Sequence, residues 1–178
     1  MGLRVNMIQE ILIVDGYNII GAWPELQKLK EISLEEARDQ LIQILAEYQS
    51  YSGMKVILVF DAYYVPGIGK KYMQSKLAVF FTKEKETADE LVERLVREHI
   101  GRRKQIYVAT SDMTEQHVIF GLGAFRISAR ELLVKVRQSR HDIRKKIQET
   151  ASRRNNTLDS KLTGEQRDLF EKWRRGEQ

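Results

Sequence analysis

Four aspartates are spaced so that an alternating strand–helix chain would carry them to one place: Asp15, Asp61, Asp89 and Asp112. Asp15 closes the apolar run Ile11-Leu12-Ile13-Val14 and precedes Gly16, a residue that permits a sharp turn. Asp61 closes Val56-Ile57-Leu58-Val59-Phe60, and Asp112 follows Ile106-Tyr107-Val108-Ala109-Thr110-Ser111. Asp89 falls in the first turn of a helix that Thr87 would open. Open parallel sheets bind ligands outside the carboxyl ends of their strands, where three of these side chains lie. Two carboxylates about 5 Å apart at an effective dielectric of about 20 repel by roughly 3 kcal/mol. Four together, uncompensated, would exceed the stability margin of a small domain. Such a cluster must take up protons or bind a cation, and hard oxygen ligands favour Mg²⁺ or Mn²⁺. One or two such ions would activate a water and stabilise both oxygens of an in-line phosphodiester displacement.

Each aspartate also has a purely structural explanation. Asp112 with Glu115 has the spacing of a helix N-cap pair, and Asp89 is favoured near a helix N-terminus by the dipole. Asp61 can begin a turn. Asp15 is the hardest to account for in this way, because it ends the most buried-looking strand. His99, His117 and His141 have no metal-ligand spacing and read as ordinary residues.

The elements that must position these groups follow from periodicity. Strands are expected at residues 11–14, 55–60, 77–82, 106–111 and 124–127, each a short, mostly apolar run. Trp23-Pro24 marks a helix start with proline in the first turn. Ser33 with Glu36 has capping-box spacing before a helix ending at Gly53, its core face carried by Ala37, Leu41, Ile44, Leu45 and Tyr48. Thr87 with Glu90 opens a helix whose stripe is Leu91, Val92, Leu95, Val96 and Ile100. Ala62 to Tyr72 is punctuated by Gly and Pro and reads as a loop. A short helix to about Leu122 and a long helix from Ser128 complete the pattern. Alternation of strand and helix implies an α/β fold with a parallel sheet. The domains expected are a lead-in over residues 1–10, a catalytic-type domain over 11–150, and a polar linker with a basic C-terminal helix over 151–178. The linker is read at 151–161, which carries Asn155-Asn156, and the last helix at Thr163 to Arg175.

Charge is unevenly distributed along the 178 residues. From Arg137 onward there are 12 Lys/Arg against 7 Asp/Glu, which equals the net +5 of the whole chain. The remainder is balanced at 18 against 18. A neutral domain with a basic tail points to an acidic partner, most often nucleic acid, although a solvated basic helix has the same composition. Cysteine is absent, which excludes disulfides and thiolate metal sites and suits a reducing, cytoplasmic setting. No apolar window is long enough for a membrane span, and no secretory signal pattern precedes the first strand. There is no Walker-type Gly-Lys-Ser/Thr, and Gly67-x-Gly69 and Gly121-x-Gly123 lack the strand–turn–helix context of a dinucleotide site. An aspartyl phosphatase would want a second aspartate where Tyr17 stands.

Val14-Asp15-Gly16-Tyr17-Asn18, then Val59-Phe60-Asp61, Glu86-Thr87-Ala88-Asp89 and Thr110-Ser111-Asp112, resembles the NYN family of PIN-like nucleases. The likeness is to its YacP-type members and extends over nearly the whole chain, including Gly21-Ala22-Trp23-Pro24 and the basic C-terminal segment. The resemblance implies a PIN-like three-layer sandwich on a central five-stranded parallel sheet. It further implies an acidic Mg²⁺ or Mn²⁺ site, endoribonuclease activity, and a part in mRNA decay on the ribosome. Carried over, Asp15, Asp61, Asp89 and Asp112 are the metal-binding, catalytic carboxylates. Asn18 is a polar group behind them, and Thr110 and Ser111 orient carboxylates or hold a phosphate.

Substrate contacts can be read from residue types. Tyr63, Tyr64 and Tyr72 offer stacking faces, worth about 1–3 kcal/mol per base, and Lys70 and Lys71 can meet phosphates. Single-stranded RNA suits that combination better than a duplex. Arg137, Arg140, Arg144, Lys145 and Lys146 could grip RNA of the substrate or of a ribosome. Arg102-Arg103-Lys104 would lie at the opposite edge of the sheet. The competing reading is a non-catalytic RNA- or ribosome-binding adaptor that keeps a nuclease-like fold.

Overall fold

Five consecutive buried residues, Ile11 to Asp15, leave the first strand no solvent face, so both of its faces must be covered by other layers. The computed structural model describes residues 8–62, 71–74, 76–83, 85–111, 119–159, 172 and 175, with the backbone alone at 71–74 and 153–159. Its elements are β1 (Gln9–Asp15), α1 (Gly16–Ala22), α2 (Pro24–Ile32), α3 (Leu34–Ser52), β2 (Lys55–Phe60), β3 (Lys71–Gln74) and β4 (Leu77–Phe81). Then come α4 (Ala88–His99), β5 (Lys104–Ala109), β6 (Phe125–Ile127) and α5 (Ala129–Asp159). The sheet order is β3-β4-β2-β1-β5-β6. Five strands are parallel, and β3 joins antiparallel to β4.

The chain builds outward from β1 through β2 and β4, then returns to place β5 and β6 on the other side. The order therefore reverses between β1 and β5, and the carboxyl end of β1 lies at that switch point. On one face Leu12, Val14, Leu58 and Phe60 pack with α1, α2, α3 and the start of α5. On the other, Ile11, Ile13, Ile57, Val59 and Val108 pack with Leu91, Val92, Leu95 and Val96 of α4. Each such aliphatic side chain contributes roughly 1.5–3 kcal/mol by leaving water. This is the three-layer α/β sandwich, on five parallel strands, that the family resemblance implies.

Local signals end the helices where sequence places them. Ser33 accepts the Glu36 N–H at 3.2 Å, and Gly53 closes α3 in a left-handed conformation with φ 74°. Thr87 and Glu90 make both bonds of a capping box. Ser128 and Glu131 do the same for α5.

Four boundaries differ from the sequence reading. Gln9 and Glu10 belong to β1 rather than to a lead-in, because they pair with Lys104 and Gln105 of β5. Ile100 does not extend the stripe of α4: the helix stops at His99, and Ile100 turns into extended backbone with 49% of its surface exposed. Lys71 and Tyr72, read as the end of a loop, lie in the strand Lys71–Gln74, which owes its conformation to pairing with β4 rather than to its own pattern. Residues 151–159, read as a linker, continue α5. No Gly or Pro interrupts 129–159, and asparagine costs a helix well under about 1 kcal/mol relative to alanine. Of the expected last helix, only Lys172 and Arg175 are described, both helical. The chain divides into two compact units, residues 1–139 and 140–178.

Candidate active site

Asp15 is the last residue of β1 and the N-cap of α1, two roles that hold its carboxylate at the switch point. Its Oδ1 accepts the backbone N–H of Asn18 at 3.2 Å. Only 9% of the residue is exposed. Burial raises its pKa from 3.8 to about 6, against the lowering effect of the Asn18 and Tyr17 N–H groups. The negative charges of Asp89 and Asp61 push it further up. Carboxylates from two further parts of the chain thus bear on Asp15 at this edge.

Gly16 allows close packing there, though not through a special backbone angle. A Cβ there would lie 2.3 Å from the Phe60 ring, which is completely buried and has nowhere to go. Parallel pairing of β1 with β2, Asp15 level with Val59, sets Asp61 beside the end of β1, and α1 then packs closely on Phe60. Asp61 is steadied from the next strand over. Thr82, directly after β4 and 1% exposed, accepts the Ala62 N–H at 2.8 Å and donates to Asp61 Oδ1 at 3.4 Å. Its own N–H donates to the Phe60 carbonyl at 3.0 Å.

Asp89 sits in the first turn of α4, exposed, where the helix dipole favours a negative charge. Glu86 anchors that turn: its carboxylate receives the Arg94 guanidinium at 2.7 Å and 3.2 Å and the Lys83 N–H at 3.0 Å. Burial opposes ionisation of Glu86, but these donors outweigh it and hold its pKa below the usual carboxylate value.

Asn18 links both sides of the switch point. Its backbone N–H serves Asp15, and its side-chain Oδ1 accepts the Ser111 N–H at 2.8 Å, tying the chain after β5 to α1. Ser111 is exposed. Thr110 is fully buried, with its N–H donated to the Ile127 carbonyl at 3.2 Å, so it supports the strand end from inside and offers no surface to a phosphate. Asp112, Tyr63, Tyr64 and Lys70 lie outside the described residues. Lys71 and Tyr72 belong to β3 and pair with Phe80 and Val79, which places Lys71 level with the carboxyl end of β4. Among the described residues, no three His, Asp or Glu side chains stand close enough to hold an ion. Arg137 pairs with Glu25 at 3.5 Å, both exposed. In the second unit, Arg144, Lys145 and Lys146 are exposed along the helix, and Arg140 is half-buried.

Two contributors escape a reading of sequence alone. Thr82 is visible only as a polar residue closing an apolar run, as Thr110 is, and nothing local says that it faces Asp61. Glu86 precedes α4, so its contact with Arg94 has no helical spacing to reveal it.

The model of the YacP-like NYN domain family matches residues 12–175. The uncharacterized protein YacP of Bacillus subtilis (strain 168) is 52% identical over 168 residues, covering 94% of this chain and 98% of that protein. A crystal structure of Rae1 (YacP) from Bacillus subtilis superposes with a TM-score of 0.73 at 52% identity, covering 93% of this chain and 95% of that one. A structure of a single-substitution mutant of the same protein gives the same TM-score of 0.73 at 51% identity, over 81% and 85% of the two chains.

Proposed function

The chain belongs to the YacP-like NYN domain family and has its nuclease-like fold, and from that premise we propose that it is an endoribonuclease hydrolysing phosphodiester bonds of single-stranded RNA with Mg²⁺ or Mn²⁺. The observation that carries this reading is Asp15: a buried carboxylate, its pKa raised to about 6, with two further carboxylates acting on it. A cation drawn to Asp15 would relieve that repulsion, and a donor set made only of carboxylate oxygens suits a hard divalent ion. Asp15, Asp61 and Asp89, joined by Asp112 on the sequence pattern, are the side chains that would hold it. When bound, such an ion lowers the pKa of a coordinated water and stabilises the attacking and leaving oxygens of an in-line displacement.

The remaining roles fall to the chain itself. Thr82 fixes the orientation of Asp61, and Asn18 keeps the segment leading to Asp112 against α1. Glu86 and Arg94 hold the turn that presents Asp89. The substrate we assign is mRNA, with the exposed Arg144, Lys145 and Lys146, together with Arg140 and Arg137, as phosphate contacts to it or to ribosomal RNA. Tyr63, Tyr64 and Tyr72 with Lys70 and Lys71 are assigned to the RNA strand on residue type. Among the described residues no helix is long and apolar enough to cross a membrane, and the cysteine-free sequence fits a cytoplasmic setting.

The test uses the purified full chain with Mn²⁺ or Mg²⁺ on naked mRNA and on the same mRNA under translation. Cleavage that Asp15→Asn or Asp89→Asn abolishes, while circular dichroism stays unchanged, supports the hydrolase. RNA or ribosome binding without cleavage supports the adaptor instead.

A further inference from the structure

Arg38 stands in the second turn of α3, and α3 ends at Ser52, just before β2 begins at the amino edge of the sheet. At about 1.5 Å per residue, its beginning must therefore lie toward the carboxyl edge, where Asp15 and Asp61 sit. A contact fixes the position more closely. Arg38 Nη1 donates to the Tyr17 hydroxyl at 3.0 Å, and Tyr17 is two residues beyond Asp15. The Tyr17 ring rests on Phe60, centroids 5.0 Å apart, and Phe60 immediately precedes Asp61. The guanidinium is thus held at the carboxyl edge of the sheet, on the face covered by α1 and α3, by a side chain braced on the core.

Its chemistry is unusual for that location. Among the described residues, Arg38 has no carboxylate within ion-pair distance, and its partner is a neutral hydroxyl. One hydrogen bond leaves most of its five donors available. A half-buried guanidinium, steered by a hydroxyl and not neutralised, is suited to an anion with planar pairs of oxygens. At an edge whose carboxylates repel phosphate, a fixed positive charge is what a bound nucleic-acid strand needs.

We propose that Arg38, positioned by Tyr17, contacts a backbone phosphate of the RNA strand entering the carboxyl edge. This rests on the nuclease reading above and adds to it a specific phosphate contact. It also separates two tasks along the edge: carboxylates for the reacting phosphodiester, and one arginine for a neighbouring phosphate.

The test measures binding apart from cleavage. A fluorescent, unstructured 12-nucleotide RNA is titrated with the full chain in EDTA at several salt concentrations, and anisotropy gives Kd. Arg38→Ala is expected to raise Kd about tenfold and to reduce the slope of log Kd against log salt by about 0.7, the signature of one lost contact to a single strand. Arg38→Lys retains the charge but not the fork and should fall between the two. Tyr17→Phe keeps the ring on Phe60 and should weaken binding about threefold with little change in melting temperature. Where Arg38→Ala fails to fold, Arg38→Lys and Tyr17→Phe decide. An RNA-binding parent with variants of equal Kd and equal salt slope overturns the Arg38 assignment alone. A parent that binds but never cuts, with the Arg38 effect intact, overturns the hydrolase reading and leaves the phosphate contact supported. A parent that does not bind RNA overturns both.

Discussion

Replacing Asp15 with asparagine should make the metal-free protein more stable while removing its activity. The folded chain keeps the Asp15 proton up to about pH 6, whereas the unfolded chain releases it near 3.8. Between those values the folded state binds more protons, so stability falls as pH rises and stays lowered above pH 6. At about 1.36 kcal/mol per unit, the penalty at pH 8 approaches roughly 3 kcal/mol. The asparagine amide would retain an oxygen to accept the Asn18 N–H, so the cap survives. Losing a negative charge at a helix N-terminus returns roughly 0.3–1 kcal/mol. The net gain is about 2 kcal/mol, or about 4–8 °C in melting temperature for a chain of this size. Urea unfolding in EDTA at pH 4, 6 and 8 tests it, with the m-value as a check that the same transition is followed. The gain should be near zero at pH 4 and complete by pH 6 to 8. A variant less stable than its parent at pH 8, or a gain equal at all three values, would refute the reasoning.

Gly16→Ala should cost about 1–3 kcal/mol by driving a methyl into the Phe60 ring, and should cut activity by displacing α1 and the Asn18 N–H that caps on Asp15; unchanged melting would contradict the close packing of α1 on Phe60. Thr82→Val removes the acceptor for the Ala62 N–H and should cost about 1–3 kcal/mol together with a fall in kcat, while Thr82→Ser should restore both; a fully active valine variant would remove Thr82 from the site. Glu86, its pKa lowered, contributes stability that is present above its unfolded value of 4.5 and lost as pH falls through its folded value. Glu86→Gln should therefore destabilise at pH 7, by about 1 kcal/mol given an Arg94 side chain 42% exposed, and much less at pH 3; equal effects at both would deny the ion pair. Mn²⁺ should raise the melting temperature of the parent and not of Asp15→Asn, through linkage to the folded state.

Much of the framework can be read from residues because local chemistry and tertiary demand agree. The runs at Ile11 to Val14 and Val56 to Phe60 are buried on both faces, as central parallel strands require. Ser33 and Thr87 start helices through their own side chains and Gly53 ends one through its backbone freedom, so their signals are short-range. The failures occur where tertiary pairing decides. Lys71–Gln74 has no strand pattern and becomes one on the edge of β4. The polar stretch at 151–159 reads as a linker on charge and asparagine, yet it contains no helix breaker and stays helical. At the site, the strand-end places of Asp15 and Asp61 and the helix-start place of Asp89 are legible in sequence, but the reason for Gly16 is not. It is there for the Phe60 ring, a contact from a distant part of the chain that no local pattern encodes. Thr82 and the Glu86–Arg94 pair are hidden for the same cause: each acts across elements.

Asp15 and Asp89 are assigned above to one cation-binding centre. Titration of Mn²⁺ into the metal-free full chain at pH 7.5, with free Mn²⁺ followed by electron paramagnetic resonance, tests it directly. Saturable uptake by the parent, weakened at least about tenfold in both Asp15→Asn and Asp89→Asn, is the predicted result. Equal uptake by all three proteins, or none by the parent, would contradict it.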